Sequence, residues 1–234
     1  MSGRVLLLDL DGTVCLGDGP ARRYATEVGA RLAAPHRDDL AADLAAFLAG
    51  EVRGRAQDAY QLVQAHAARC GLAAAEVSGA YLASRDALLA GEVEVEAPCG
   101  LVALLAELRP AVHVVLLTNA PAFGLEVLLA RLGLDDVVDE TIGDAGKPGG
   151  MAAVLDELLG RFRIEGEPWR LLSVGDVWEN DLAGPAERGC ATAYVDRFGL
   201  RQGPAGAAAA TVEGLYPAIR AWASGARLPL NGFR

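Results

Sequence analysis

The sequence holds four cysteines, Cys15, Cys70, Cys99 and Cys190, and no two of them share a CxxC spacing. Neither a zinc site nor a disulfide framework is therefore expected, and the chain reads as reduced and cytoplasmic. No apolar stretch is long enough to span a bilayer. The Val5-Leu6-Leu7-Leu8 run is stopped by Asp9, too early for the core of a signal peptide. Basic stripes are missing as well. Acidic residues number 31 against 21 basic ones, a formal net charge of −10. Such a surface repels nucleic acid and anionic lipid, so neither nucleic acid nor a membrane is expected as a partner. Lysine is almost absent: among the 21 basic residues only Lys147 is lysine, and the rest are arginine. Against that bias a lone lysine is informative.

What is present is apolar and evenly spread. The 234 residues are 52% hydrophobic and 22% charged, enough for one domain or a domain with an insert. A domain of this size buries roughly 70% of its unfolded surface. Continuous apolar runs at residues 4–10, 112–117, 171–174 and 191–195 each end in polar turn residues, and a weaker run covers 137–142. These read as buried parallel strands. Helix-period segments at 101–108, 122–132, 152–162 and 182–188 alternate with them, which predicts an α/β fold with a parallel-sheet core. Residues 21–90 break the alternation, reading as helices at 21–32, 38–48, 56–70 and 74–89 with no convincing strand. The expected organisation is a catalytic core of residues 1–15 and 97–234 and a separate all-helical cap domain, residues 16–96, inserted after the first strand. Residues 205–210 are a small Ala-rich patch, and the tail after Ser224 is expected to be irregular.

Polar residues gather at the carboxyl ends of the expected strands, where open parallel sheets bind ligands. They are Asp9-Leu10-Asp11-Gly12-Thr13, Thr118-Asn119, Gly146-Lys147-Pro148 and Gly175-Asp176 through Asp181. Singly, each has an ordinary reading as a turn, a cap or a loop. Together, in order and each after a strand, they describe one chemistry. Asp9 and Asp11, two residues apart at a strand end, can face one site. With Asp176 they make an oxygen-rich site of the kind Mg2+ prefers. Lys147 adds a positive point charge, and the Thr118 hydroxyl and nearby amides donate to phosphate oxygens. That set suits phosphoryl transfer, in which positioning and charge neutralisation supply most of the catalysis.

The sequence resembles the haloacid dehalogenase (HAD) superfamily of hydrolases over nearly its whole length. DLDGT at residues 9–13 matches the first motif of that superfamily, Thr118 the second, Lys147 the third and GDVWENDLAGP at residues 175–185 the fourth. Gly149-Gly150 stands where Asp-Pro often follows the Lys-Pro pair. The resemblance implies a Rossmann-like core, with the helical block as the cap of one subclass. It implies Asp9 as the nucleophile that becomes an aspartyl-phosphate and Asp11 as the general acid, then base. Mg2+ is implied to sit on Asp9, the backbone carbonyl of Asp11, and Asp176, while Asp181 either supports the metal through water or orients Lys147. Thr118, Asn119 (through its backbone amide) and Lys147 are implied to bind the phosphate.

These residues lead to a magnesium-dependent phosphatase acting on a small phosphorylated metabolite. Dehalogenases of the superfamily typically carry an aromatic residue where Asp11 stands, and phosphonatases use a cap lysine, which this cap lacks. A sugar-phosphate mutase resembling β-phosphoglucomutase remains the alternative, although its fourth motif usually has adjacent acids. A non-catalytic binding module on the same fold is the third reading. The sequence leaves the metabolite and the oligomeric state open. Arg53-Gly54-Arg55, in a glycine-broken turn of the cap, is the candidate for contact with the rest of the substrate. His36, His66, His113, Cys15 and Trp178 read as packing residues, and Asp144 and Asp196 as turn formers.

Overall fold

The computed structural model describes residues 3–51 and 56–229. The chain divides into two compact units, one of residues 17–96 and one of the remainder. The larger unit is built on six strands: β1 (Arg4–Leu8), β2 (Val112–Leu117), β3 (Glu140–Ile142), β4 (Leu171–Gly175), β5 (Ala191–Val195) and β6 (Ala207–Ala209). They form one sheet in the order β3-β2-β1-β4-β5-β6, and every pairing is parallel. Helices α5 (Leu101–Leu108), α6 (Leu125–Leu132), α7 (Met151–Phe162), α8 (Ala183–Glu187) and α9 (Tyr216–Ala223) connect or follow the strands. This is a Rossmann-like α/β core.

The central strands are apolar because both faces are covered. Val5, Leu6, Leu7 and Leu8 of β1 are all buried, as are Val114 through Leu117 of β2. One face of the sheet packs on α7, whose Met151, Leu155, Leu158 and Leu159 recur at helical spacing and meet Val5, Leu7, Val115, Leu117 and Leu171. Burying a leucine side chain stabilises by roughly 1.5–3 kcal/mol, so this layer outweighs any single polar contact in the fold.

The smaller unit holds α1 (Gly19–Gly29), α2 (Ala34–Leu48), α3 (Ala59–Arg69) and α4 (Ala74–Leu89), with α1 packed on the other three. Tyr24 is fully buried, its ring 6.0 Å from that of Tyr60 and 5.6 Å from that of Tyr81. His66 is buried between helices, with Nε2 3.0 Å from the His36 carbonyl and Nδ1 3.3 Å from Asp43. No helix among the described residues is long and apolar enough to cross a membrane.

One local expectation is corrected, and two elements appear that the sequence did not announce. The run at 137–142 is a strand only at Glu140–Ile142, because the Val137 and Val138 amides both donate to the Leu134 carbonyl and close a turn first. The Ala-rich patch supplies β6, which pairs with β5. Alanine has low strand propensity and gives no alternation to read. The segment before Ser224 is helix α9, fixed by the buried Trp222, whose indole donates to the Trp169 carbonyl at 2.9 Å.

Candidate active site

The sheet order sends the chain outward from β1 through β2 to β3, then back across to β4 and outward through β5. The loops after β1 and β4 therefore diverge, and the crevice at such a switch point is where parallel sheets place ligands. Asp9 follows β1, and its amide donates to the Val174 carbonyl at 3.0 Å, extending the ladder by one residue. Leu10 is buried, and the Val14 and Cys15 amides both donate to its carbonyl, which closes a tight turn. Asp11 lies within that turn, paired with Cys15 in a single bridge.

Lys147 is 7% exposed and organises the centre. Its ammonium donates to Asp9 Oδ1 at 2.6 Å, to Asp181 Oδ1 at 2.6 Å and to the Leu117 carbonyl at 3.0 Å. An ammonium has three donors, and all three are engaged. Asp181 lies in the turn after β4 and places its other oxygen, Oδ2, 3.0 Å from the Val177 amide that donates to it. The Ser173 hydroxyl, inside β4, donates to the Asp181 carbonyl at 2.7 Å. Thr118 follows β2: its amide donates to the Ile142 carbonyl, and its hydroxyl accepts from the Ala120 amide at 3.0 Å, leaving its own proton to donate. Asn119 turns its side chain onto the backbone of Lys147, donating to the carbonyl at 2.9 Å and accepting from the amide at 2.6 Å.

Asp9, Asp176 and Asp181 each offer an oxygen within 4.8 Å of the others. Burial, then the nearby Asp181 charge, push the Asp9 carboxyl up to about 7, with Lys147 pulling the other way. Burial opposes the charge on Lys147, but Asp9 and Asp181 outweigh it and raise its pKa. One ammonium thus meets both Asp9 and Asp181, and the Asp176 carboxylate stands within 4.8 Å of them. Such a set of carboxylate oxygens fits a hard divalent cation.

The structure brings together Asp9, Lys147, Asp176 and Asp181, with Asp11, Thr118 and Asn119 on the adjoining loops. Arg53 and Arg55 lie outside the described residues. Ser173 and Asp144 carry roles that sequence reasoning missed. Ser173 had a signal, being the one hydroxyl in an otherwise apolar strand just before Gly175-Asp176. Asp144 reads locally as a turn former, and its partner lies in another loop.

The parallel α/β core thus gathers three carboxylates and a buried ammonium at its switch point. The family profile described as haloacid dehalogenase-like hydrolase matches residues 6–176; the chain belongs to that family. No curated protein sequence matches the chain significantly. Solved structures with the same fold include the HAD hydrolase YfnB from Bacillus subtilis bound to magnesium, 17% identical, TM-score 0.62, covering 93% of this chain and 99% of that one. CbbY from Rhodobacter sphaeroides in complex with phosphate is 18% identical, TM-score 0.61, over 91% and 96%. A 2-haloacid dehalogenase from Pseudomonas syringae is 16% identical, TM-score 0.55, over 93% and 98%. At these identities the likeness is one of fold, and it spans more than one chemistry.

Proposed function

We propose that the chain is a magnesium-dependent phosphatase of a small phosphorylated metabolite, working in the reducing cytoplasm through an aspartyl-phosphate on Asp9. The observation that carries this reading is the pairing of Asp9, held 2.6 Å from the Lys147 ammonium, with a second carboxylate, Asp11, two residues on. A halide leaving group needs no proton, whereas an alkoxide does, and Asp11 is the group to supply it. The magnesium bound by the relative YfnB and the phosphate bound by CbbY support the same reading.

Asp9 attacks phosphorus as the leaving oxygen takes a proton from Asp11. Asp11, now a base, draws a proton from water that then attacks the aspartyl-phosphate and frees phosphate and Asp9. Lys147 holds Asp9 in place and offsets charge on the transferred group, and Thr118 donates its hydroxyl to a phosphate oxygen. Asp9, the Asp11 carbonyl and Asp176 are the groups to hold Mg2+, which when bound offsets the repulsion between carboxylate and phosphate dianion. Asp181 has both oxygens engaged by Lys147 and Val177, so its role is to orient Lys147.

Phosphate release from a metabolite panel, with magnesium and with chelator, tests the reading. Magnesium-dependent release that disappears in Asp9→Asn supports it. Isomerisation of a sugar phosphate without release would point to the mutase, and silence across the panel to a binding module.

A further inference from the structure

The loops after β2 and β3 face each other, and each sends one side chain into the other's backbone. Asn119 pairs with both backbone hydrogen-bonding groups of Lys147, its amide and its carbonyl, at 2.6 and 2.9 Å. Asp144 accepts from the Ala122 amide at 2.9 Å, while its own amide donates to the Ala120 carbonyl at 2.8 Å. The two loops touch here: a methyl group on Gly143 would lie 2.5 Å from Ala122 Cα. Asp144 adopts a left-handed φ of 50°, a conformation costly for most residues and tolerated by Asp and Asn.

The pairing has a reason. β3 ends at Ile142; beyond it the Asp144 and Ala145 amides still donate to the Ala120 and Thr118 carbonyls, and that backbone pairing stops short of Lys147. The segment is also rich in glycine, with Gly146, Gly149 and Gly150 around the lysine, and glycine loses more conformational freedom on ordering than any other residue. The two-bond exchange with Asn119 has the form of a strand pairing, supplied by a side chain instead of a backbone. The reach of the lysine toward Asp9 and Asp181 starts from the backbone that this exchange fixes.

We propose that Asn119 and Asp144 are positioning residues, a double latch between the two loops that sets where the Lys147 ammonium meets Asp9. Asn119 acts on the lysine's own peptide, and Asp144 holds the loop that carries it. The inference rests on Lys147 and Asp9 belonging to the reacting centre. A displacement of about 1 Å at such a centre costs on the order of 10²-fold in rate.

Because the chain contains a single lysine, protein labelled with 15N-lysine gives one Nζ signal, which reports the Lys147 environment without substrate or turnover. Asn119→Ala should move that signal and lower kcat on the order of 10²-fold. In a Lys147→Ala background the same change should cost little more, because the group it positions is gone. Asn119→Asp keeps the acceptor for the Lys147 amide but loses the donor, and should fall between wild type and alanine. Asp144→Ala should shift the signal less than Asn119→Ala, and Asp144→Asn, which keeps both the acceptor and the tolerance for positive φ, should restore it. A thermal melt of each variant checks that it is folded. A lysine signal in folded Asn119→Ala or Asn119→Asp that coincides with wild type overturns the latch, as do rate losses that multiply with Lys147→Ala. If the wild-type protein hydrolyses no phosphate ester, the phosphatase reading fails, and the lysine signal still decides the latch.

Discussion

Gly12 lies so close to Asp176 that a methyl group added to it would stand 2.3 Å from Asp176 Oδ2. The turn after β1 and the carboxylate after β4 share one small space, and Gly12 also adopts a φ of +85°. Gly12→Ala should displace Asp176 and strain the turn by about 1–2 kcal/mol. That corresponds to roughly tenfold in an affinity. The expected result is a magnesium midpoint for turnover raised by at least about that factor in a protein that still folds. Calorimetric titration with magnesium checks it, and an unchanged midpoint would detach Gly12 from the site.

Asp9→Asn should remove phosphoryl transfer, since an amide is a poor nucleophile and a poorer metal ligand. Asp11→Asn should leave folding intact and lower turnover by about 10²–10⁴-fold, the usual worth of a general acid. Acid-quenched mass spectra give an independent check. A phosphorylated intermediate should be trapped on Asp9 in wild type and be absent from Asp9→Asn. Asp9→Asn with near wild-type turnover of an aryl phosphate would remove Asp9 from the nucleophile role.

Lys147→Arg should be nearly as damaging as Lys147→Ala. The ammonium makes three bonds of 2.6, 2.6 and 3.0 Å in three directions, and a planar guanidinium presents its donors in a fixed fork. The bulkier group would also enter a pocket that leaves the lysine almost no exposure. Turnover measured side by side for the two variants decides it, with full activity in the arginine variant as the contrary result.

The thiols should differ widely in reactivity. Cys99 is exposed, whereas Cys190 is buried, and burial pushes the Cys190 thiol up to about 12. Alkylation of the native protein at pH 8, read by peptide mass spectrometry, should mark Cys99 first and reach Cys190 only after denaturation. Equal labelling of the two in the native state would contradict the burial of β5's leading edge.

The parallel sheet and the polar residues at its carboxyl edge were legible in the chain because their signals are local. Val5 through Leu8, Val114 through Leu117 and Leu171 through Val174 announce strands buried on both faces, and Asp9, Asp11, Thr118 and Asp176 sit within three residues of the ends of those strands. Their chemistry follows from their place on the strand, whatever the rest of the fold does. Strand β6 was not legible, because Ala207–Ala209 carries neither alternation nor propensity and becomes a strand only beside β5.

The division of labour among the polar residues was decided by tertiary structure alone. Sequence places Asp181 near a metal or a lysine without choosing, and reads Asn119 as part of a phosphate-binding turn and Asp144 as a turn former. The fold gives Asp181 and Asn119 to Lys147, across 34 and 28 positions, and Lys147 to Asp9 across 138. Local sequence sets which groups stand at a strand end and what chemistry they hold. Which group each one faces depends on how the sheet order folds distant loops onto one edge, and no spacing along the chain records that distance.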